Sequence, residues 1–335
     1  MIYIKNGKEI TMYKIGVLGA ADIAYRMFIP ALKKSVDFEC IGIAEEYNTE
    51  KLQKFKDDYG LNIFHSFDDL INNPSIDVLY IPLPPALHYE YAKKALLNGK
   101  HVFLEKPLTT KLEHTEELIS IAKSKNLVLQ ENYMFQFHHQ LDVIKNIISS
   151  KKLGEIRLIR SCFSFPKRAQ NDFRYSKKLG GGALLDAGGY VIKLGTLLLG
   201  DDAKINDAHL YSFEDYDVDI FGDFTMSNGK ITYQGAFGMD NVYTCSLEVY
   251  GSKGKLYTNR IFTSPPENKP ILILMVENQE EEIIVDADNH FLKSILKFKN
   301  ALENDEIREE LYITLFKQTQ MLMDLKELGG KDIYD

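Results

Sequence analysis

Lys106 is the first side chain in this sequence placed to do chemistry. It sits in Glu105-Lys106-Pro107, closing the apolar run His101-Val102-Phe103-Leu104. A lysine at the carboxyl end of a buried parallel strand faces the crevice where open α/β sheets bind ligands, so its ammonium meets cofactor and substrate. Pro107 then fixes the backbone. Alone, Glu-Lys-Pro reads equally well as a surface loop. A second candidate lies in Gly180-Gly181-Gly182-Ala183-Leu184-Leu185-Asp186-Ala187-Gly188-Gly189-Tyr190. Its glycines lead into a helix on which Asp186 and Tyr190, spaced i, i+4, share one face. A tyrosine hydroxyl can act as general acid toward a developing alkoxide, and a nearby ammonium eases its ionisation. The alternative is a tyrosine packed on a sheet with its hydroxyl satisfied locally. Lys167, Arg168 and Arg174, just before the glycines, are either a diphosphate site or solvated loop charges. His138 and His139 are adjacent and cannot share a helical face as metal ligands do, so no metal site is expected.

Lys106 needs a nucleotide fold behind it, and the first half of the chain reads as one. Tyr13 to Ala24 gives a short strand, a small-residue turn and a helix running through Arg26, Ile29 and Leu32. Gly16 and Gly19 permit the turn and the close approach of a pyrophosphate, while Ala20, Ala21, Asp22 and Ile23 open the helix whose N-terminus favours it. The strict G-x-G-x-x-G spacing is not met. A second strand, Glu39 to Ala44, ends in Glu45-Glu46. A carboxylate there accepts from the ribose hydroxyls and a 2′-phosphate needs a cation, so the pair predicts NAD(H) in preference to NADP(H), unless both are solvated loop charges. Helices at Glu50 to Tyr59 and Phe67 to Asn72 lead to the strand Val78 to Pro82. Pro82, Leu83, Pro84, Pro85 and His88 then form a loop beside the nicotinamide, with His88 either touching cofactor or capping the helix Tyr89 to Asn98. After the helix His114 to Lys125, the strand Leu127 to Gln130 ends in Glu131-Asn132-Tyr133 at the same edge.

The length of 335 residues suits two domains, and 45% hydrophobic content can bury ordinary cores. A formal charge of −8 argues against a nucleic-acid partner. Cys40, Cys162 and Cys245 are odd in number and far apart, which suits a reducing cytoplasm. No apolar run of ~18 residues and no signal peptide is expected. Residues 12–135 are read as the dinucleotide-binding domain, preceded by eleven residues that the fold does not need. Residues 136–335 are read as the second domain, whose last helices could pack back on the first. That domain holds a helix at Gln140 to Ser150, strands at Leu158 to Phe165, Val218 to Thr225, Lys230 to Phe237, Cys245 to Tyr250 and Lys255 to Asn259, and helices near His290 to Glu303 and Glu309 to Glu327. Hairpin-like separators predict an open, mostly antiparallel sheet.

Jointly, the Gly16 turn, Glu105-Lys106-Pro107, Gln130 to Phe135, Gly154-Glu155-Ile156 and the glycine segment through Tyr190 resemble the Gfo/Idh/MocA oxidoreductases across nearly the whole chain. The resemblance implies a Rossmann domain, then an α/β domain carrying the substrate site and commonly the oligomer interface, here of a dimer or tetramer. It also implies a catalytic Lys106. Within the family, Ala21-Asp22-Ile23-Ala24, Tyr80-Ile81-Pro82-Leu83-Pro84, Glu131 to Phe135, Asp172-Phe173-Arg174-Tyr175 and Phe237-Gly238-Met239 are most similar to sugar 3-ketoreductases acting on nucleotide-linked diketo-dideoxyhexoses. In those a tyrosine at the place of Tyr190 is the proposed proton donor. Two departures stand out: Glu45-Glu46 replaces the usual Ser-Arg of NADPH users, and Tyr190-Val191 replaces Tyr-Pro. The expected reaction is hydride transfer to a sugar ketone, with Lys106 polarising the oxygen, Tyr190 protonating it and Asp186 orienting Tyr190 or a substrate hydroxyl. Tyr133, Lys167, Arg168 and Arg174 are the expected substrate contacts beside Tyr190. Glu105 is counted with the cofactor residues, and no membrane partner is expected. The rival readings are a dehydrogenase of free sugars, inositols or dihydrodiols, and a non-catalytic nucleotide-binding regulator.

Overall fold

The computed structural model describes residues 2–5, 8–330 and 332–333, with side chains described over 12–330. Met1–Asn132 and Phe291–Phe316 form one compact unit, Tyr133–His290 and Lys317–Asp335 a second. The boundary expected after residue 135 thus falls after Asn132, and segment 291–316 belongs with the first unit. The apolar face of that segment explains its place: the Phe298 ring meets Phe38 and Phe103, and the Tyr312 hydroxyl donates to the Leu127 carbonyl.

In the first unit, Ile2–Lys5 (β1) and Lys8–Thr11 (β2) pair as an antiparallel hairpin. The central strands are Tyr13–Leu18 (β3), Phe38–Ala44 (β4), Asn62–Phe64 (β5), Val78–Ile81 (β6), His101–Leu104 (β7) and Leu129–Glu131 (β8). They form a wholly parallel sheet in the order β5-β4-β3-β6-β7-β8. The order reverses at β3, where the crevice of such sheets opens at the carboxyl ends. Parallel strands are covered on both faces, which is why β6 is apolar at every position and buried throughout. The crossovers are Ile29–Leu32 (α1), Leu52–Tyr59 (α2), Phe67–Asn72 (α3), Pro85–Leu97 (α4) and Leu112–Ser124 (α5). Ser66 caps α3 by accepting from the Asp69 amide at 3.0 Å. Helix α4 begins four residues earlier than expected. Pro85 occupies its first position, where a missing N–H costs nothing. His88 therefore lies in the first turn of α4 and not in a loop.

The second unit begins with the helix Gln140–Ser149 (α6). Its strands are Ile156–Phe165 (β9), Lys204–Ser212 (β10), Phe221–Ser227 (β11), Thr232–Met239 (β12), Thr244–Gly251 (β13), Gly254–Thr258 (β14), Ile271–Val276 (β15), Gln279–Ile284 (β16) and Asp332–Ile333 (β17). They make a nine-stranded sheet ordered β16-β15-β14-β13-β9-β12-β11-β10-β17. Most pairs are antiparallel, but β9 runs parallel to β12 and β10 to β17. The chain between β9 and β12 therefore makes a crossover, and the helix Gly189–Leu199 (α7) lies within it. The stretch 177–199 does reach the length and apolarity of a membrane span, correcting the expectation of no such run, but 78% of its most apolar window is buried. It is a core helix of this unit. Helices His290–Glu303 (α8) and Asp305–Leu328 (α9) stand between β16 and β17.

Candidate active site

At the carboxyl edge of the parallel sheet, Gly19 has φ of +109°, a conformation that favours glycine, and an added Cβ would come within 2.8 Å of Leu83 Cδ2. Only glycine fits this turn. Gly16, by contrast, lies inside β3 against Leu70, where an added Cβ would stand 3.0 Å from Leu70 Cδ1. Its role is to let α3 approach the strand. The first amides of the helix beyond the turn have no carbonyl a turn behind them, which suits an anionic pyrophosphate. The cradle at Gly19 and the helix opening at Asp22 and Ile23 therefore fit a dinucleotide.

Glu45 is turned into the turn itself. Its Oε2 accepts from the Ala20 amide at 2.7 Å, and its Oε1 from the amides of Tyr47 and Asn48 at 2.7 and 3.0 Å. Glu46 accepts from the Phe67 amide at 2.6 Å. Both carboxylates are thus committed to backbone donors. A cation not singled out in the sequence, Lys51, lies here, its ammonium 3.8 Å from Asp22. Its position at the foot of α2, close to the turn, was the available signal.

The Lys106 loop is held from several sides. Glu105 is buried, and its Oε1 accepts from the Tyr80 hydroxyl at 2.7 Å and from Asn132 Nδ2 at 2.8 Å. Burial raises its pKa, with those two donors and Lys106 opposing. Asn132 in turn accepts from Ser294 at 2.9 Å, and the Leu108 amide donates to Glu131 at 2.6 Å. Glu105 therefore braces the motif from inside. His88 is wholly buried, with Nδ1 2.7 Å from the Pro107 carbonyl oxygen and Nε2 2.7 Å from that of Leu83. It caps no helix.

In the second unit, Asp186 lies in a single π turn, Leu184–Gly188, that opens α7. Such turns recur at functional sites. Arg174 Nε donates to Asp186 at 2.6 Å, and its Nη1 contacts Asp172 at 3.1 Å. Burial works against the guanidinium charge, but the two carboxylates outweigh it and raise its pKa. Arg174 is thus engaged with two carboxylates within the protein. Lys167 lies 3.3 Å from Asp240, while Arg168, over the Phe165 ring, has no carboxylate partner among the described residues. Tyr190 is 6% exposed and sits among Tyr133, Phe135, Phe163 and Phe262, its hydroxyl 3.6 Å from Met134 Sδ. Tyr133, expected at the substrate, is fully buried, and a Cβ on Gly189 would fall 2.0 Å from its hydroxyl. Its ring meets that of Tyr190 edge-on, with the centroids 5.1 Å apart.

Residues 13–133 match the GFO/IDH/MocA oxidoreductase family with an NAD-binding Rossmann fold, and residues 142–257 match the C-terminal domain of the same family. A dTDP-3,4-didehydro-2,6-dideoxy-alpha-D-glucose 3-reductase of Actinomadura kijaniata is 34% identical over 332 residues, covering 99% of each chain. The chain belongs to the Gfo/Idh/MocA oxidoreductase family. A reductase of the same description from Streptomyces violaceoruber is 33% identical over 88% of this chain and 86% of its own. Among solved structures, KijD10, a 3-ketoreductase from Actinomadura kijaniata in complex with NADP and TDP-benzene, superposes with a TM-score of 0.93 at 33% identity, covering 97% of this chain and all of that one. That complex overturns the expected preference for NAD(H). The physical reason lies in Glu45 and Glu46: bound to amides, they do not present the free carboxylates on which that expectation rested.

Proposed function

We propose that this protein uses NADPH to reduce a ketone on a nucleotide-linked keto-deoxysugar of the dTDP-3,4-didehydro-2,6-dideoxyglucose type. The observation that carries this reading is end-to-end similarity to reductases of that description, with the Lys106 and Tyr190 motifs both present. The turn at Gly19, Ala20, Ala21, Asp22 and Ile23, with Leu83 against it, would hold the dinucleotide, and Lys51, whose ammonium lies 3.8 Å from Asp22, is a cation that could meet a 2′-phosphate. Bound there, the cofactor supplies a hydride.

The protein's own groups handle charge and protons. Lys106 polarises the ketone oxygen, an ammonium being a compact source of positive charge where negative charge develops. Tyr190 donates its phenolic proton to that oxygen, and the aromatic rings around it keep water from competing. Asp186, fixed by Arg174, aligns the sugar hydroxyl next to the reacting carbon. Arg168 and Lys167 bind the diphosphate, Arg168 being the freer of the two. Ile271, Met275 and Ile284, exposed on strands β15 and β16, support reading the open sheet as a contact between copies, and three free thiols support a cytoplasmic setting.

The test is NADPH oxidation with the dTDP-linked diketo sugar generated in situ. Turnover of that sugar, with none of free aldoses or polyols, is the expected result. Oxidation of free polyols with NADP⁺ and no reduction of the nucleotide sugar would overturn the reading.

A further inference from the structure

His88 is a buried imidazole for which the proposed chemistry has no direct use. Its two nitrogens each stand 2.7 Å from a backbone carbonyl, those of Pro107 and Leu83. Leu83 lies two residues beyond the end of β6, and its side chain fills the space above Gly19. Pro107 follows Lys106. The ring therefore spans the loops after β6 and β7, and through Leu83 it reaches the turn after β3. Other groups hold the Lys106 loop at its flanks: Tyr80 and Asn132 bind Glu105, and Glu131 binds the Leu108 amide. Pro107 has no N–H, so its carbonyl is the one backbone group by which it can be held. His88 is what faces that carbonyl. An apolar side chain could fill the same space, but it would leave without this donor whichever of the two buried carbonyls takes the single ring N–H.

We propose that His88 is a positioning residue, its ring set between the Pro107 and Leu83 carbonyls and bonded through its single N–H to one of them, and so fixing where Lys106 stands relative to the glycine turn. This rests on the reading of Lys106 as the group that polarises the ketone.

A double-mutant cycle tests it, with His88→Leu, His88→Gln and Lys106→Ala measured singly and in combination at saturating NADPH. His88→Leu is expected to lower kcat by ~10-fold or more while the sugar KM stays within ~3-fold, and His88→Gln, which keeps one donor, to recover part of the loss. On the Lys106→Ala background, His88→Leu should cost less than ~2-fold, because its effect runs through the missing ammonium. In the free protein, ¹⁵N NMR should show a ring N–H of His88 protected from solvent exchange. Losses that multiply in the cycle, or a fall in Tm with kcat per folded molecule unchanged, would show a brace with no tie to Lys106. Failure of both His88 variants to fold would do the same. If Lys106→Ala turns over normally, the reading of Lys106 falls and this proposal with it, a result separable from the others because it appears in the single variant.

Discussion

The Glu45 carboxylate closes onto the Ala20 amide at 2.7 Å, so the acid at the end of β4 is a strut of the glycine turn. Glu45→Gln should accordingly leave the ratio of NADPH to NADH affinity within ~3-fold of wild type, since both carboxylate oxygens already accept from backbone amides. Lys51→Glu should weaken NADPH at least ~10-fold and NADH little, a difference above ~1.4 kcal/mol. Titration calorimetry on the two variants checks both, and a collapse of NADPH preference in Glu45→Gln would remove the strut interpretation.

Tyr190→Phe and Lys106→Ala should each lower kcat by ~10²-fold or more, the usual scale for loss of a general acid or of charge stabilisation in the transition state. NADPH affinity of Tyr190→Phe should stay within ~3-fold of wild type by fluorescence titration. Near-normal turnover of that variant would return the phenol to a packing role.

Arg174→Gln should destabilise the second unit. Removing one partner of a largely buried pair strands the Asp186 carboxylate, whose side chain is 12% exposed, and costs ~3 kcal/mol or somewhat less because the Arg174 side chain remains 25% exposed. Adding Asp186→Asn should restore much of the urea midpoint without restoring activity. An unchanged midpoint in the single variant would contradict this account.

Stability should fall on acidification between about pH 6.5 and pH 4. Burial, helped by Arg308, lowers the pKa of His101 to about 4, and burial with His138 lowers that of His290 to about 3. Burial likewise lowers His88 to about 4, opposed by its two carbonyls and helped by Lys106. Each ring is neutral in the fold and protonates once unfolded, so the unfolded chain binds more protons in this window. The expected slope is ~1.4 kcal/mol per pH unit for each such ring, with none above the window. Urea titrations of wild type and His101→Asn across the window provide the measurement, and a slope that does not flatten in the variant would argue against His101.

Much of the first unit was legible because buried parallel strands are written as unbroken apolar runs, as in Val78 to Ile81 and Val102 to Leu104. The Lys106 and Asp186 to Tyr190 motifs were legible for a related reason: glycine and proline mark where backbone must turn. What could not be read was the fate of individual charges. Glu45 and Arg174 look on paper like ligand groups, and only the fold shows amides and carboxylates already waiting for them. Strands β10 and β16 were missed because Lys204 to Ser212 mixes charge into its alternation and Gln279 to Ile284 is an acidic edge. The start of α4 was missed because prolines were read as loop formers, although one at the first helical position is a start signal.

The parallel pairing of β9 with β12 gives the second unit a built-in place for change. Two neighbouring strands that run the same way cannot be closed by a tight turn, so the sheet requires a long excursion, and that excursion carries Arg174, Asp186 and Tyr190. Residues added or lost at 166–181 would change this connection without shifting a rung of the ladder on either side. The connection can therefore drift in length and composition, while the sheet beneath it stays in register.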